Sequence, residues 1–449
     1  MTATTGMTLQ QEVDAFLERH PDLAQVELLA SDLSGNFFSK WFRRDQLSGF
    51  AENGLSIPRA MYVLSGTSES MPEAVGMGDD DGDPDMPVDI APGTLSVVNW
   101  GERRRAQGLL HSRATDMVID PRRVLASVVD RYKDKGLYPV VAFELEYTYF
   151  ENDTQDGLKT IINPHTGVDD TATMMGSSRL EAFETILNDT VAACDVQGIE
   201  TSTVSAEYGA GQFEINFPHY DDPVRAADHA QLFRRAVKTI ARQHGKCASF
   251  IAKPDLVRAG NGQHLHVSVL NNDGHNIFSE RDRAAPALMN AVGGLQQAAS
   301  EAMLFWAPNI NSYRRFEPSN CVPTGATWAH EHRHVAFRIP LAKGNAWRVE
   351  NRIPGADANC YLTLASMLAG MLHGIENAID PSAETVGAPG MDSSLLPLTI
   401  RDAIAATRKG DILGQYMDEG FVKLFASHRE GELNSFEDFI SQREIDWYV

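Results

Sequence analysis

Residues 141–148 read V-A-F-E-L-E-Y-T, and this alternation decides how the fold is interpreted. A period of two is typical of a β-strand whose two faces differ in character. It places Phe143 and Leu145 on an apolar face, and Glu144 and Glu146 together on the opposite face. The stretch therefore predicts a sheet with one buried face and one face that carries charged groups.

Four further segments repeat this alternation downstream. Their polar members are mostly carboxylates, imidazoles and guanidiniums, whereas a solvated face is normally Lys, Thr, Ser and Gln. If all five strands are neighbours, four glutamates, two histidines and three arginines converge on one face. The polar positions of the four segments are Gln212, Glu214 and Asn216; His264, His266 and Ser268; Arg338; and Arg348, Glu350 and Arg352.

A cluster of this kind predicts bound metal ions. Carboxylates that lie close together repel one another and raise each other's pKa, and divalent cations remove that penalty. Oxygen-rich ligands with a little imidazole suit Mg²⁺ or Mn²⁺ better than zinc. Hard cations beside several arginines are what phosphoryl transfer from a nucleotide requires, so the cluster favours that chemistry.

Competing motifs are absent or misplaced. The chain has no G-x-x-x-x-G-K-[ST] phosphate loop, and the G-N-G of residues 260–262 lacks the third glycine of a dinucleotide fingerprint. Residues 330–334, H-E-H-R-H, satisfy the H-E-x-x-H pattern of zinc proteases, which requires a helix. Because V-A-F-R-I-P follows as a strand pattern, a zinc protease is not expected.

Composition excludes several classes of protein. Acidic residues outnumber basic ones by 61 to 39, which argues against a general nucleic-acid binder with a basic face. The polar N-terminus is not a signal peptide, and no apolar run approaches the ~20 residues that span a membrane. The four cysteines form no C-x-x-C pair, so no zinc-thiolate site is expected. We expect a cytoplasmic enzyme that binds neither nucleic acid nor membrane.

Caps and breakers predict the organisation of the chain. A small β-rich domain over residues 1–118 precedes a large α+β domain over residues 119–449. The small domain contains a hairpin with its turn at residues 32–36, and residues 66–93 are expected to form a surface loop. The predicted helices cover residues 10–19, 120–136, 178–198, 222–245 and 358–379, and most of 400–449.

The ordered motifs of the large domain resemble the glutamine synthetase superfamily. Within it, the N-terminal region and the W-Y ending are most similar to the glutamate–polyamine ligase branch, the γ-glutamylputrescine synthetases. The resemblance implies an α+β fold: a small β-grasp domain and a catalytic domain with a curved antiparallel sheet and flanking helices. The motifs are E-L-E at 144–146, E-Y-G-A-G-Q-F-E-I-N at 207–216, K-P at 253–254, G-N-G-Q-H-L-H-V-S at 260–268, N-S-Y-R-R at 311–315, R-x-x-x-x-R-I-P at 333–340, R-V-E-N-R at 348–352 and A-N-C-Y-L at 358–362.

The resemblance also implies an activity, namely ATP-dependent acid–amine ligation through γ-glutamyl phosphate. It implies ATP, two or three Mg²⁺ or Mn²⁺ ions, and a dodecamer of two stacked hexameric rings. The family's roles transfer to this chain residue by residue. They are Glu146, Glu207 and Glu214 for one metal; Glu144, His264 and Glu350 for the second; Arg315, Arg352 and the Gly260 backbone for glutamate, with Glu146 and His264 beside it; Arg333 and Arg338 for the transferred phosphoryl group, with Glu207 and Glu350 in the catalytic set; and His266, Ser268, Arg338 and Arg348 for the nucleotide.

Departures from the family pattern concern the amine. Ammonia-using members carry a D-G-S-S loop where residues 54–58 read G-L-S-I-P, and a glutamate where this chain has Cys321. Both anionic ammonium ligands are therefore missing, which favours an organic amine such as putrescine or another polyamine. The open alternatives are a monoamine or aromatic amine, ammonia itself, and a degenerate homologue with a structural or regulatory role. Glu207, Glu317 and Glu331 are the candidate bases for the amine proton.

Overall fold

The computed structural model describes residues 7–78, 81–113, 119–152, 157–280, 283–316, 322–387 and 396–449. Helices and strands are mixed along this part of the chain, which confirms the α+β class. The strands are β1 Gln25–Ser31, β2 Phe37–Arg43, β3 Leu55–Pro58, β4 Asp85–Ile90, β5 Ser96–Val98, β6 Arg105–Ser112, β7 Leu137–Glu151, β8 Thr203–Ala206, β9 Gln212–Asn216, β10 Lys246–Ser249, β11 Gln263–Asn271, β12 Ser279–Glu280, β13 Arg283–Ala284, β14 Trp328–His330, β15 Phe337–Ile339 and β16 Val349–Asn351.

Most helices lie in the second half of the chain, outside the sheets. The helices are α1 Leu9–Arg19, α2 Leu47–Asn53, α3 Pro72–Val75, α4 Pro121–Lys133, α5 Ser177–Ala182, α6 Glu184–Val196, α7 Pro223–Gln243, α8 Pro286–Trp306, α9 Ile310–Tyr313, α10 Cys360–Glu376, α11 Ile400–Lys409, α12 Ile412–Met417, α13 Glu419–Glu437 and α14 Gln442–Tyr448. In the part of the chain that the structure describes, none of them has the length and apolar character needed to cross a membrane.

The N-terminal sheet has the strand order β2-β1-β6-β4-β3, with β5 paired to β6. Strands β1 and β2 form the predicted antiparallel hairpin, and β1 also pairs in parallel with β6. At the hairpin turn the Asp32 carboxylate accepts the Asn36 N–H at 2.7 Å, which closes the turn. The predicted domain boundary at residue 118 lies just outside the described residues, and the boundary stays a prediction.

The second sheet supports the polar face. Its order is β14-β15-β16-β11-β7-β9-β8, with β10 paired to the end of β7. Apart from the parallel β14–β15 pair, its pairings are antiparallel. Phe143, Leu145, Phe213 and Ile215 are at most 1% exposed, so the alternation buries its apolar members as predicted.

Two predictions about local structure were wrong in part. The helix expected over residues 178–198 is interrupted at Phe183, whose ring is 2% exposed and lies edge-on to Phe213 at 5.2 Å between centroids. Burial of this ring against the sheet accompanies the break. The surface loop expected over residues 66–93 contains β4, in which Met86, Val88 and Ile90 alternate into the core. The Pro and Asp residues around them concealed that alternation.

Candidate active site

The strand register of the second sheet brings the predicted carboxylates together. Glu144 on β7 lies directly opposite His264 on β11, and Glu146 lies opposite Glu214 on β9. Directly opposite side chains on one sheet face have Cβ atoms about 4.5–5.5 Å apart, so each pair is in contact range. On the other side of β11, Glu350 lies opposite His266. The convergence that the alternation predicted is therefore present.

Two groups of three side chains have the geometry of metal ligands. Glu144, His264 and Glu350 form one trio, and Glu146, Glu214 and His264 form the other. Within each trio the ligand atoms lie within 4.8 Å of one another. The first trio matches a set that the resemblance implied. In the second, His264 stands where the resemblance implied Glu207, so the imidazole lies between the two groups.

Glu207 lies beside this cluster, just after β8. Its side chain accepts a hydrogen bond from the Ser205 hydroxyl at 3.2 Å, and its residue is 8% exposed. Burial, and after it the nearby charge of Glu146, raise the pKa of Glu207 to about 7. Arg179 donates to the Glu207 carbonyl oxygen at 2.7 Å, which fixes the backbone from which this carboxylate projects.

The β7–β9 side of the cluster has more negative charge than its described neighbours neutralise. Burial and the repulsion of Glu144, Glu146 and Glu207, in decreasing order, together raise the pKa of Glu214 to about 9. Such a group is protonated near neutral pH unless a cation replaces the proton. The donors are carboxylate oxygens with one imidazole, which fits hard divalent ions. These residues therefore fit the metal ions that the resemblance implied.

The β15–β16 side is neutralised by arginines. Glu350 is 1% exposed and accepts hydrogen bonds from Arg338, at 2.7 Å, and from Arg352. Burial is the largest single influence and opposes its ionisation, but the charges of Arg352, His266 and His264 together lower the pKa of Glu350 to about 2. Glu350 is thus ionised, and both arginines are held at one edge of the cluster.

Glu144 connects the two sides through the histidines. Its carboxylate contacts His264 Nδ1 at 3.2 Å and His266 Nε2 at 3.0 Å. Burial opposes ionisation, yet these hydrogen bonds hold the pKa of Glu144 well below its usual range. His266 Nδ1 also lies 3.2 Å from Arg348 Nε, so the ring joins Glu144 to the arginine. Ser268 lies two residues along β11 and is 7% exposed.

A glycine loop approaches Arg315 closely. A Cβ at Gly260 would lie 2.9 Å from Arg315 Cγ, and a Cβ at Gly262 would lie 2.8 Å from its guanidinium, so neither position accepts a side chain. The Gly262 N–H donates to Glu146 Oε2 at 2.7 Å. Arg315 is 4% exposed and donates to the Ile353 carbonyl oxygen at 2.7 Å. The loop and the arginine therefore form one wall of the cluster.

Arg333 is placed differently from the other predicted arginines. It is exposed, and its guanidinium has no hydrogen bond or ion pair to any residue that the structure describes. Its backbone carbonyl oxygen accepts from Arg352 Nε at 3.0 Å, which ties it to the site. Arg338, in contrast, also contacts Glu331 at 3.3 Å. Arg333 is therefore free to reorient toward a ligand, and Arg338 is not.

Sequence reasoning gave no role to two residues that organise the site. Gln212 Nε2 donates to Glu146 Oε2 at 3.2 Å and to the Gly260 carbonyl oxygen at 3.0 Å, so it connects the carboxylate to the glycine loop. The sequence signal that could have identified Gln212 is its polar position in the alternation of β9. Arg179, which orders Glu207, lies on a helix and carries no comparable sequence signal.

Several sequence motifs lie apart from this chemistry or outside the described residues. Residues 330–334 are a strand end and a turn, so their histidines do not share a helix face, and His330 pairs with Glu384 at 2.9 Å. Glu317 and Cys321 lie outside the described residues.

Comparisons with known proteins agree with this arrangement. The family description that matches residues 118–448 is "Glutamine synthetase, catalytic domain". γ-Glutamylputrescine synthetase PuuA of Escherichia coli K12 is 35% identical, over 99% of this chain and 95% of its own. A glutamate–isopropylamine ligase of Pseudomonas is 28% identical, over 98% and 97%. The solved structure of GmaS without ligand superposes with a TM-score of 0.83 at 22% identity, over 97% of this chain and 98% of that one.

Proposed function

The chain belongs to the glutamine synthetase family of ATP-dependent carbon–nitrogen ligases, and from that premise we propose that it joins glutamate to putrescine. Its relatives include ligases that form γ-glutamyl amides, and the family uses ATP and divalent metal ions. The observation that supports putrescine is the 35% identity to the E. coli putrescine enzyme over almost the whole chain. Another polyamine is the next choice.

The proposed reaction has two steps. An oxygen of the glutamate γ-carboxylate attacks the γ-phosphorus of ATP, the bond to the bridging oxygen breaks, and ADP leaves. The amine nitrogen then attacks the γ-carbonyl carbon, inorganic phosphate leaves, and the amine loses a proton to a base. Both steps gather negative charge, so fixed cationic donors lower their barriers.

We assign the arginines and the loop to these charges. Arg315 and Arg352 hold the glutamate carboxylates with the Gly260 backbone, since Arg315 and this loop are already in contact. Arg338 and Arg333 bind the phosphoryl group as it transfers, and the free guanidinium of Arg333 suits a group that moves onto the ligand. The nucleotide lies along the side that His266, Ser268 and Arg348 form, with Arg338 at its phosphate end.

The carboxylates hold the metal ions. We assign Glu146, Glu207 and Glu214 to one ion, and Glu144, His264 and Glu350 to the second. His264 lies within 4.8 Å of the ligand atoms of both trios, so its imidazole would be available to either ion. Bound divalent cations neutralise the phosphate and carboxylate oxygens as they approach each other. The protein's own part is to hold five of these ligands on adjacent strands and Glu207 just after β8, and to release their protons when metal binds.

The proton acceptor for the amine is one of three glutamates. Glu207 has a pKa raised to about 7 by burial and by Glu146, which matches a base that works near neutral pH. Glu331 is exposed and accepts hydrogen bonds from Arg338 and from the Leu341 N–H, so its carboxylate is already engaged. The third candidate is Glu317. Separate Glu→Gln variants, compared by their pH–rate profiles, distinguish the three.

We further propose that subunits assemble into two stacked hexameric rings, with each active site completed by the small domain of a neighbour. Light scattering at micromolar concentration tests this assembly. A monomer under those conditions would contradict it.

Phosphate release from ATP and glutamate tests the function when putrescine, isopropylamine, aniline and ammonia are supplied in turn. We expect putrescine to exceed ammonia in kcat/KM by about tenfold or more, equivalent to ~1.4 kcal/mol of discrimination. Comparable turnover with ammonia would reject an organic-amine ligase, and preference for isopropylamine or aniline would reject the polyamine assignment alone. Phosphate release from ATP and glutamate that none of the tested amines accelerates would favour a substrate of another class. Absence of any phosphate release would favour a structural or regulatory homologue.

A further inference from the structure

A cavity of about 250 Å³ lies between the β1–β2 hairpin and helix α7. It is remote from the polar sheet face, because α7 packs against the apolar side of β7, where Phe233 contacts Tyr147. On the helix, its cationic residues follow one stripe at spacings of one, three and four residues. These residues are Arg234, Arg235, Lys238 and Arg242.

The cavity has a single acidic residue in its lining. Glu27 on β1 accepts a hydrogen bond from Arg235 at 2.5 Å and another from the Ser39 hydroxyl at 2.9 Å. It also lies 3.6 Å from Arg105, so two arginines share this one carboxylate. Glu27 therefore neutralises Arg235 at most. Of the other three cations, Arg234 has the charge of the buried Asp357 nearby. Lys238 and the exposed Arg242 have no counter-charge among the described residues.

None of those three cations forms an ion pair in the part of the chain that the structure describes. Arg234 donates to the Ala358 carbonyl oxygen at 3.0 Å, and Arg242 donates to the Thr239 hydroxyl at 3.1 Å. The Lys238 ammonium has no hydrogen-bond partner there. It lies 6.0 Å from the ring centre of Phe250, whose face Arg234 also approaches, at 5.4 Å.

The surroundings of Lys238 disfavour the charged form of its side chain. Burial and, after it, the charges of Arg234 and Arg242 lower the pKa of Lys238 to about 8. The favourable position of cations near a helix C-terminus accounts for Arg242, in the last turn of α7, but the dipole falls off before Lys238 and Arg234. The chain as a whole has a net charge of −22, so its overall composition does not account for the scarcity of acidic residues beside this stripe.

We propose that this cavity binds a phosphate dianion, either free or as the terminal group of a small phosphate monoester. Two guanidiniums and an ammonium converge there, and guanidinium groups pair with phosphate through two hydrogen bonds. The Arg234 side chain is already oriented by its bond to Ala358, so little freedom is lost on binding. The volume lies below the ~300–1,000 Å³ range of pockets for drug-sized ligands, which favours a small anion.

The site is separate from the proposed ligase centre, and binding has a structural consequence. The Gln231 amide on α7 donates to the Gly35 carbonyl oxygen at the hairpin turn, so the two walls of the cavity are already joined. An anion bound between them stabilises the contact between the N-terminal sheet and α7. Ligands that bind only the folded state raise the melting temperature with concentration.

Calorimetric titration of the full-length, metal-depleted protein with inorganic phosphate, and separately with glycerol 3-phosphate, tests the site at pH 8. Lys238→Met is expected to weaken binding by about tenfold or more, since a charge-assisted contact is lost. Lys238→Arg restores most of the affinity. The matched control is Lys133→Met, which removes an exposed lysine paired with Asp130 on α4 and leaves binding unchanged. Melting curves of each variant verify that it is folded.

A second readout distinguishes the site from general charge screening. Binding of phosphate near Lys238 raises the pKa of this lysine, so we expect the wild type to take up protons on binding at pH 8. Proton uptake is measured from the binding heats in buffers of different ionisation enthalpy. Lys238→Met is expected to take up fewer protons. Binding of either compound with these properties supports the site, and the tighter one identifies the source of the phosphate. Equal affinity in wild type and Lys238→Met, or equal stabilisation by KCl at the same ionic strength, would overturn the proposal.

Discussion

Two groups of buried carboxylates in this chain differ in how their charge is balanced. Asp228 on α7 accepts hydrogen bonds from Arg122 Nε and Nη2, both at 2.9 Å, and from the Tyr361 hydroxyl at 2.8 Å. On the polar sheet face, Glu207 and Glu214 face other carboxylates, and their pKa values rise to about 7 and about 9, with burial the larger cause. A carboxylate paired within the protein stabilises the fold, and one left unpaired indicates a site for an external cation.

The α7 cavity has a corresponding imbalance of charge, with positive groups in excess. There the half-buried Lys238 has no acidic partner among the described residues, just as Glu207 and Glu214 form no ion pair with a lysine or arginine there. Since isolated buried charges are costly, unbalanced groups of either sign persist where a ligand completes them. The contrast between paired and unpaired groups can be tested by substitution.

The largest effect is expected from Glu214→Gln, which keeps the shape of the side chain and removes its charge. We expect kcat/KM to fall by at least about a thousandfold, ~4 kcal/mol of transition-state stabilisation, because a metal ligand is lost. The metal-free variant should melt at the same temperature as the wild type or higher, since repulsion is relieved. Steady-state kinetics and calorimetry measure both effects.

The control for that variant is Glu151→Gln at the end of β7, the strand that pairs with β9, where Lys246 lies 2.6 Å from the carboxylate. It should leave activity within about twofold, as expected for a partly exposed ion pair. A comparable loss of activity in Glu151→Gln would show that any charge change on β7 disturbs the site.

The next effect concerns the paired group and is one of stability. Asp228→Asn removes the carboxylate that pairs with the Arg122 guanidinium, whose side chain is 17% exposed, and we expect the free energy of unfolding to fall by about 3 kcal/mol. Activity of the folded fraction should be retained. Urea denaturation measures the change, and adding Arg122→Met should recover much of it. No recovery in the double variant would show that the lost interaction was not electrostatic.

The third effect is a dependence of metal-free stability on pH. The folded-state pKa values of Glu207 and Glu214 lie above the ordinary value of 4.5, so the folded chain holds protons that the unfolded chain releases. Their contribution to stability is present at low pH and is lost as pH rises to about 7 for Glu207 and about 9 for Glu214. Between pH 6 and 9 we expect a loss of a few kcal/mol.

Thermal unfolding of the chelator-treated protein across this pH range measures that loss. Glu214→Gln should flatten the dependence, and added Mn²⁺ should reverse it because metal replaces the protons. A metal-free wild type whose stability is constant from pH 6 to 9 would contradict the unpaired state of these carboxylates.

The smallest effect is expected where an ion pair is open to solvent. Arg408 and Glu430 lie 2.6 Å apart, with side chains 40% and 44% exposed. Removing the pair by Arg408→Gln should cost about 0.5 kcal/mol or less, because water screens both charges. A cost near that of Asp228→Asn, measured under the same conditions, would mean that burial does not decide the value of these pairs.

The sequence predicted the elements of the site better than their assembly. Alternation placed Glu144 and Glu146 on one face, and the same rule placed His264 and His266 on one face, as the structure shows. The rule acts over a few residues, so each strand shows it independently. It could not predict that His264 joins both trios, because that depends on two pairings between distant strands.

Residues outside the strands were predictable only through family resemblance. Arg315, on the turn after α9, reaches the site through contact with the Gly260 loop, and Glu207 is ordered by Arg179 from α5. No local periodicity connects such positions, since loops and tertiary packing bring them together. The interruption at Phe183 has the same origin, because a ring buried against the sheet overrides local helix propensity.

The sequence by itself determined the class of fold, the faces of the strands and the kinds of ligand that the site offers, because side-chain period and donor chemistry are local properties. The tertiary structure decided which charges are balanced. Asp228 meets Arg122 across two helices, whereas Glu214 meets other glutamates across two strands, and Lys238 lies in a cavity whose lining has one acid. Charge balance depends on neighbours that are distant in sequence, so only the folded chain distinguishes a structural ion from one that awaits a ligand.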